Sequence, residues 1–365
     1  MQPSTTDADQ PIRERQIQAA GYRIHLLEAG QGPLVLFLHG CPETSHSWRA
    51  HLPTLASAGY HAVAIDLLGY GRSSRPARID EYRITTLVQI VADVIAELRA
   101  ERAVVVGHDW GAPIAWTTAW TRPDVVAGVV GVGLPFGGRG LYALPNSPFG
   151  ELRPSVADRE IAGPDRVFYQ EYFQLPGLAE RELEADPRSW LRSVYYSNSA
   201  SCPLPFGQSP PDLAALDADP ASIIPMLRRS SLCSDPGASR SAGFQTPDLL
   251  PDWLSEEDLD VYAGAFERTG FAGALNYYRC NDLNWELLAG FEDKTVDAPA
   301  LFIGADRDAP TFWAREAIAR QRERVPNLRG VTIFDNCGHW IQREQPERFA
   351  AELLAFLADI GPVPS

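Results

Sequence analysis

The segment Val104-Val105-Val106-Gly107-His108-Asp109-Trp110-Gly111 sets a carboxylate between two glycines directly after an apolar run. Its pattern is that of a nucleophile elbow, G-x-S-x-G, with aspartate in the serine position, and it assigns Asp109 as a nucleophile. The exchange redirects the chemistry. A carboxylate is already ionised at neutral pH, so it needs no base to attack, and displacement at carbon leaves an ester on the protein. Glycines at 107 and 111 suit a sharp turn in which strand and following helix pack closely. An incidental acid on a surface turn is the plainer alternative. The apolar strand, the paired glycines and the helix-compatible continuation argue against it.

Two further segments end in residues suited to clearing such an ester. Ala300 to Gly304 is an apolar strand running into Ala305-Asp306-Arg307-Asp308, and Val331 to Phe334 delivers Asp335-Asn336-Cys337-Gly338-His339-Trp340. A histidine oriented by an acid can deprotonate water, which assigns His339 as base and Asp308 as its partner. Of the other histidines, His25, His46, His51 and His61 read as surface or packing residues, while His39 and His108 flank the chemistry and shape it. Cys41, in His39-Gly40-Cys41-Pro42, is an alternative nucleophile, but no partner base is indicated for it.

These side chains need a frame, and the apolar pattern supplies one. Strands are expected over Gln16 to Ala20, Tyr22 to Glu28, Pro33 to Leu38, Tyr60 to Asp66 and within Val125 to Phe136. Leu34 to Leu38 is apolar without alternation, as in a strand of a parallel sheet covered on both faces. Leu87, Ile90, Val91, Val94, Ile95 and Leu98 share one helical face. The fold class is therefore α/β, a mostly parallel central sheet flanked by helices, with Asp109 at the carboxyl end of a central strand. Gly131 and Gly133 suggest a dinucleotide loop, but Phe136 stands where a third glycine belongs. The turn from Asp66 to Ser74 is loop punctuation rather than a phosphate cradle.

With 365 residues the chain suits one large domain or a core carrying an insertion. A net charge of -15 and a pI near 4.9 argue against binding nucleic acid or an anionic membrane. Lys294 is the only lysine, so the arginines reflect composition bias. Residues 1–18 read as a flexible lead-in without the apolar core of a signal peptide. The most apolar run, Val125 to Phe136, is too short to span a bilayer. Cys41, Cys202, Cys233, Cys280 and Cys337 lack the spacing of a zinc site or disulfide framework, and a soluble protein of the reducing cytoplasm is expected. Core segments are expected over 19–140 and 291–365, with a mainly helical lid over 141–290. Within the lid, Ser201 to Pro251 is too long for an ordinary connection, and Ser255 with Asp258 marks a helix start.

Together these motifs resemble an epoxide hydrolase of the α/β-hydrolase superfamily, similar to the catalytic domain of soluble epoxide hydrolases. The order Asp109, Asp308, His339 is that of the α/β-hydrolase triad. In Tyr169-Gln170-Glu171-Tyr172-Phe173-Gln174-Leu175-Pro176-Gly177 and Leu275-Asn276-Tyr277-Tyr278-Arg279, the resemblance implies that Tyr169 and Tyr278 are the ring-opening tyrosines, with Tyr172 and Tyr277 as close decoys. It further implies backbone N–H groups of Cys41 and Trp110 as an oxyanion hole, and His39, Pro42, Trp110 and Trp340 at the substrate. The substrate implied is a small apolar epoxide, hydrolysed with water and with neither cofactor nor metal. A homodimer is left open. Relatives often carry an aromatic residue where Cys41 stands, which puts pocket width in question, and the phosphatase activity of mammalian relatives is not expected to carry over. Two alternatives stay open: a haloalkane dehalogenase, which shares the aspartate nucleophile but needs no proton donor, and a non-catalytic ligand-binding member of the fold.

Overall fold

The structure is a computed structural model and describes residues 11–203 and 220–361. Its frame is an eight-stranded sheet in the order β1-β2-β4-β3-β5-β6-β9-β10. The strands are β1 (Arg13–Ala19), β2 (Tyr22–Ala29), β3 (Leu34–Leu38), β4 (His61–Ile65), β5 (Ala103–His108), β6 (Val126–Val132), β9 (Ala300–Ala305) and β10 (Leu328–Phe334). A separate two-stranded sheet, β7 (Val167–Phe168) with β8 (Cys233–Ser234), lies in the insertion. β1 and β2 pair antiparallel with their neighbours, and from β4 to β10 every pairing is parallel.

The unalternating apolar strands are buried on both faces. In β3, Leu34, Leu36 and Leu38 join one core with helix Ile84–Glu97, while Val35 and Phe37 join another with helices His51–Ser57 and Pro346–Ile360. In β5 the same division sends Val105 to the first core and Val104 and Val106 to the second. Burial of each such valine stabilises the sheet by roughly 2 kcal/mol, which pins the register of β5 and with it the position of Asp109.

The expected lead-in over 1–18 is corrected at its end. Residues 1–10 lie outside the described residues, but Arg13–Ala19 forms the edge strand β1, in register with β2 from Arg13 opposite Glu28 to Ala19 opposite Tyr22. The strand expected from Gln16 thus begins three residues earlier, at exposed polar residues that carry no apolar signal, since only Ile17 and Ala19 turn inward. Part of the excursion from Ser201 to Pro251 is likewise outside the described residues; the remainder includes helix Pro220–Arg229 and β8.

Between β6 and β9 the chain is largely helical and covers the carboxyl ends of the parallel strands. Helix Glu256–Thr269 begins with the Ser255 hydroxyl accepting from the Asp258 N–H at 3.1 Å, the cap foreseen in the sequence. The Asp258 carboxylate has a different task. It accepts from Arg49 Nη2 at 2.6 Å and Arg343 Nη2 at 2.7 Å and meets His46 Nε2 at 2.8 Å, so it ties the lid to two core segments. Among the described residues no helix is long and apolar enough to cross a membrane, and no disulfide is formed.

Candidate active site

The elbow is built by close backbone packing. A Cβ on Gly107 would overlap the Gly111 carbonyl, one on Gly111 would overlap the Leu38 carbonyl, and one on Gly40 would overlap the Asp109 side chain. Asp109 itself sits at φ 47, in the left-handed region that a non-glycine residue occupies at a cost of about 1 kcal/mol. This lifts its carboxylate off the sheet. Oδ1 accepts the Cys41 N–H at 2.6 Å, and Oδ2 lies 3.6 Å from His339 Nε2.

The other face of the imidazole is fixed by Asp308. His339 Nδ1 lies 2.8 Å from Asp308 Oδ1, and Asp308 Oδ2 accepts from the Thr311 hydroxyl at 3.0 Å. Asp308 caps helix Ala309–Trp313, so helix and histidine share one buried carboxyl. Burial disfavours the charged imidazole, but the carboxylates of Asp308 and Asp109 outweigh it and hold His339 well above the usual histidine range. Its backbone is also pinned. The His339 N–H donates to the Asn198 carbonyl of the lid at 2.7 Å, and the His339 carbonyl meets His108 Nε2 at 2.8 Å. His108 Nδ1 in turn lies 2.7 Å from Glu43 Oε2, which also accepts the Gly40 N–H at 2.9 Å. Burial works against the Glu43 charge, yet His108 and these donors keep its carboxyl down at about 2. Glu43 was not foreseen, although it directly follows Pro42 in the loop that was.

Above Asp109 lies a cavity of about 110 Å³ walled by Cys41, Pro42, Tyr169, Tyr278, His339 and Trp340 among others. The Tyr169 and Tyr278 rings meet edge to face at 5.9 Å. Both phenols are raised far above the ordinary tyrosine range, first by burial and then by neighbours that include Asp109, so both are kept as proton donors. The decoys are spent elsewhere. Tyr172 donates to Glu182 at 2.7 Å and Tyr277 to the Leu68 carbonyl at 2.8 Å. Gln170, for which no motif assigns a role, donates to the Tyr169 hydroxyl oxygen at 3.0 Å and accepts from Asn281 Nδ2 at 2.9 Å. Tyr142 lines the same cavity, its ring stacked on Tyr278 at 11°. A larger hollow of about 830 Å³ lies elsewhere in the lid, along Asp158, Tyr172 and Asp282, and holds none of Asp109, Asp308 and His339.

Two expected substrate contacts are corrected. His39 is fully buried, its Nδ1 2.8 Å from the Gly40 carbonyl and its Nε2 accepting from the Leu67 N–H at 3.0 Å, so both ring nitrogens hold loops rather than face the cavity. The Trp110 ring also stays behind the wall, packed edge to face at 5.2 Å against each of Tyr142, Tyr277 and Tyr278, with its indole nitrogen sealed from the cavity. Pro42 and Trp340 do line it. Burial and the nearby Asp109 push the Cys41 thiol up to about 12, away from the thiolate that a cysteine nucleophile needs.

The arrangement can attack an electrophilic carbon from below, protonate a leaving oxygen from above and activate water at the side. Residues 33–200 match the family described as the alpha/beta hydrolase fold. Across nearly its whole length the chain is similar to enzymes of one branch of that fold. It is 46% identical to Epoxide hydrolase B of Mycobacterium tuberculosis, covering 95% of this chain and 99% of that one. It is 37% identical to Epoxide hydrolase A of the same organism, over 95% and 98%. An epoxide hydrolase from an endophytic Streptomyces superposes with a TM-score of 0.84 at 41% identity, covering 96% of each chain. The chain belongs to the epoxide hydrolase family of α/β hydrolases.

Proposed function

We propose that the protein hydrolyses an epoxide to a vicinal diol through a covalent ester on Asp109. The observation that carries this reading is the pair of phenols, Tyr169 and Tyr278, lining the same cavity as the Asp109 carboxylate, with burial holding both far above the ordinary tyrosine range. An oxygen leaving group needs a proton or a strong hydrogen bond, whereas a departing halide needs neither.

Asp109 Oδ2, the carboxylate oxygen not held by the Cys41 N–H, attacks an oxirane carbon as Tyr169 and Tyr278 donate to the opening oxygen. The alkyl ester is then cleared. His339, held by Asp308, takes a proton from water, which attacks the Asp109 carboxyl carbon. Charge collects on Oδ1, already held by the Cys41 N–H, and the N–H of Trp110 is the second donor; removing one such donor typically costs roughly 3 to 4 kcal/mol of barrier stabilisation. Collapse breaks the ester C–O bond, restores Asp109 and releases the protonated diol, and the proton held by His339 makes good the one the tyrosine gave up at ring opening. This reading uses a core over 19–140 and 291–365, a lid over 141–290, and no metal or organic cofactor.

The test is incubation with an aryl epoxide. Diol should form with the intact protein, vanish in Asp109→Ala and fall in Tyr169→Phe. Halide release from haloalkanes without diol formation would overturn the reading in favour of dehalogenation. In heavy-oxygen water a single turnover should place label in Asp109 and not in the first diol.

A further inference from the structure

The larger hollow of the lid, about 830 Å³, has the size of a ligand site and lies across a partition from the catalytic cavity. The partition is the short helix Tyr169–Tyr172: Tyr169 lines the cavity, while Glu171 and Tyr172 line the hollow. Asp158, on helix Pro154–Ala162, belongs to the wall of the hollow and is 4% exposed. Its Oδ1 is buried without a hydrogen-bond partner. Two other acids of the same wall are provided for. Asp282 accepts from the Ser155 N–H at 2.9 Å and the Ser155 hydroxyl at 2.8 Å, and Glu182 accepts the hydroxyls of Tyr172 at 2.7 Å and Ser241 at 2.5 Å. Among the described residues no cation forms an ion pair with Asp158, although Arg159 follows it directly.

A buried carboxyl group without a donor is costly, and the surroundings add to the cost. Glu171 on the partition helix and Asp282 on helix Asn281–Leu287 face Asp158 with like charge, opposed by Arg159. Arg159 is largely in solvent and lies 3.8 Å from Glu171. Arg228, from helix Pro220–Arg229, is spent on the carbonyls of Glu160 and Ile161, and Arg181 and Glu182 add one charge of each sign to the wall. Tyr142, Tyr169 and Cys233, which also sense Asp158, are kept uncharged by burial. Burial first, then Glu171 and Asp282, therefore raises the Asp158 carboxyl well above the ordinary carboxylate range. What the site lacks is a donor that brings its own positive charge. A primary ammonium is such a donor, with three N–H groups on a compact cation. Val167, Leu178 and Leu175, the last 63% exposed, line the same hollow with apolar surface that suits an alkyl chain.

We infer that this hollow is a second ligand site, in which Asp158 receives the ammonium group of a primary alkylamine whose chain lies on Val167, Leu175 and Leu178. The site is separate from Asp109 and stands whether or not the catalytic cavity opens epoxides. On binding, the Asp158 carboxyl gives its proton to solvent and the ammonium keeps all of its own, so the complex is an ion pair formed with release of a proton.

The experiment is titration calorimetry of the full chain at neutral pH with hexylammonium and with hexan-1-ol, which shares the chain and lacks the charge. Hexylammonium should bind about 10- to 100-fold tighter, the range of a charge-assisted hydrogen bond. Repeating the titration in buffers of different ionisation enthalpy should show proton release with the amine and none with the alcohol. Asp158→Asn, which keeps the shape of the side chain, should bring the amine-to-alcohol ratio down towards one. Asp109→Asn should leave it unchanged, which separates the hollow from the catalytic cavity. Equal affinity of the intact protein for amine and alcohol, or amine binding without proton release, overturns the inference, as does a preference that survives in Asp158→Asn or is lost in Asp109→Asn. Affinity and proton release are both read on the unaltered protein, so poor folding of a variant does not blunt the test.

Discussion

Gln170 donates its amide N–H to the hydroxyl oxygen of Tyr169 at 3.0 Å, and Asn281 donates to the same amide's oxygen at 2.9 Å. The direction of these bonds matters. With a lone pair of Tyr169 already engaged by a donor, its own O–H is the group left to point elsewhere, and the cavity is where the ring edge leads. Asn281 fixes which end of the Gln170 amide faces the phenol.

Gln170→Leu removes that bias while keeping the volume similar. Formation of the Asp109 ester should slow about 10-fold, the equivalent of roughly 1.4 kcal/mol, with the later hydrolysis of the ester unchanged. Rapid-quench measurement of the two half-reactions separates the outcomes. Equal slowing of both would mean that the substitution had only loosened the lid.

His339→Gln should leave ester formation possible and stop its hydrolysis. The protein should then gain the mass of one epoxide and stall after a single turnover, by mass spectrometry of the intact chain. A variant that keeps releasing diol would mean that another group activates water.

The acid limb of activity follows from the same histidine. Two carboxylates raise its pKa in the free protein, and esterification of Asp109 cancels one of them, so His339 titrates lower in the intermediate than before attack. The base must be neutral to accept a proton. As pH falls through the pKa of the intermediate, hydrolysis should fail first and the ester should accumulate, which quenching at graded pH would reveal; a constant ester fraction across the acid limb contradicts this.

Gly111→Ala drives a methyl group into the Leu38 carbonyl, an overlap of backbone against backbone that no rotamer relieves. A loss of about 3 kcal/mol in unfolding free energy is expected from such overpacking at a buried junction. Denaturant titration measures it, and a change below about 0.5 kcal/mol, the range of ordinary surface substitutions, would show that the elbow has slack.

Asp258 joins lid to core, and its removal strands Arg49 and Arg343. Asp258→Ala should cost about 3 kcal/mol. Burial opposes the Asp258 charge, but His46, Arg343 and Arg49 outweigh it and hold the carboxyl at about 2. The sign is that of a depressed acid: its contribution is complete above the ordinary carboxylate value near 4 and is lost as pH falls towards about 2. Acid denaturation profiles of the variant and the parent should therefore converge below pH 3 or so, and parallel profiles down to that range would argue against the latch.

What could be read beforehand was whatever follows a short-range rule. Apolar runs without alternation gave β3 and β5, and glycines that cannot bear a Cβ gave the turn around Asp109. Asp308 and His339 followed because strands end at predictable places. The lid tyrosines came through resemblance, and the structure sorts Tyr169 from Tyr172 and Tyr278 from Tyr277 by hydrogen bonds that no spacing encodes. His39 and Trp110 were placed at the substrate because they neighbour residues that are there, but adjacent residues in a turn point different ways.

The bond from the His339 N–H to the Asn198 carbonyl crosses from core to lid. Asn198 ends helix Pro187–Ser197, whose Val194 walls the cavity. Any outward swing of that helix must break the bond and release the backbone on which the base depends. The wall of the cavity and the backbone of His339 are therefore one mechanical unit, joined by a single hydrogen bond.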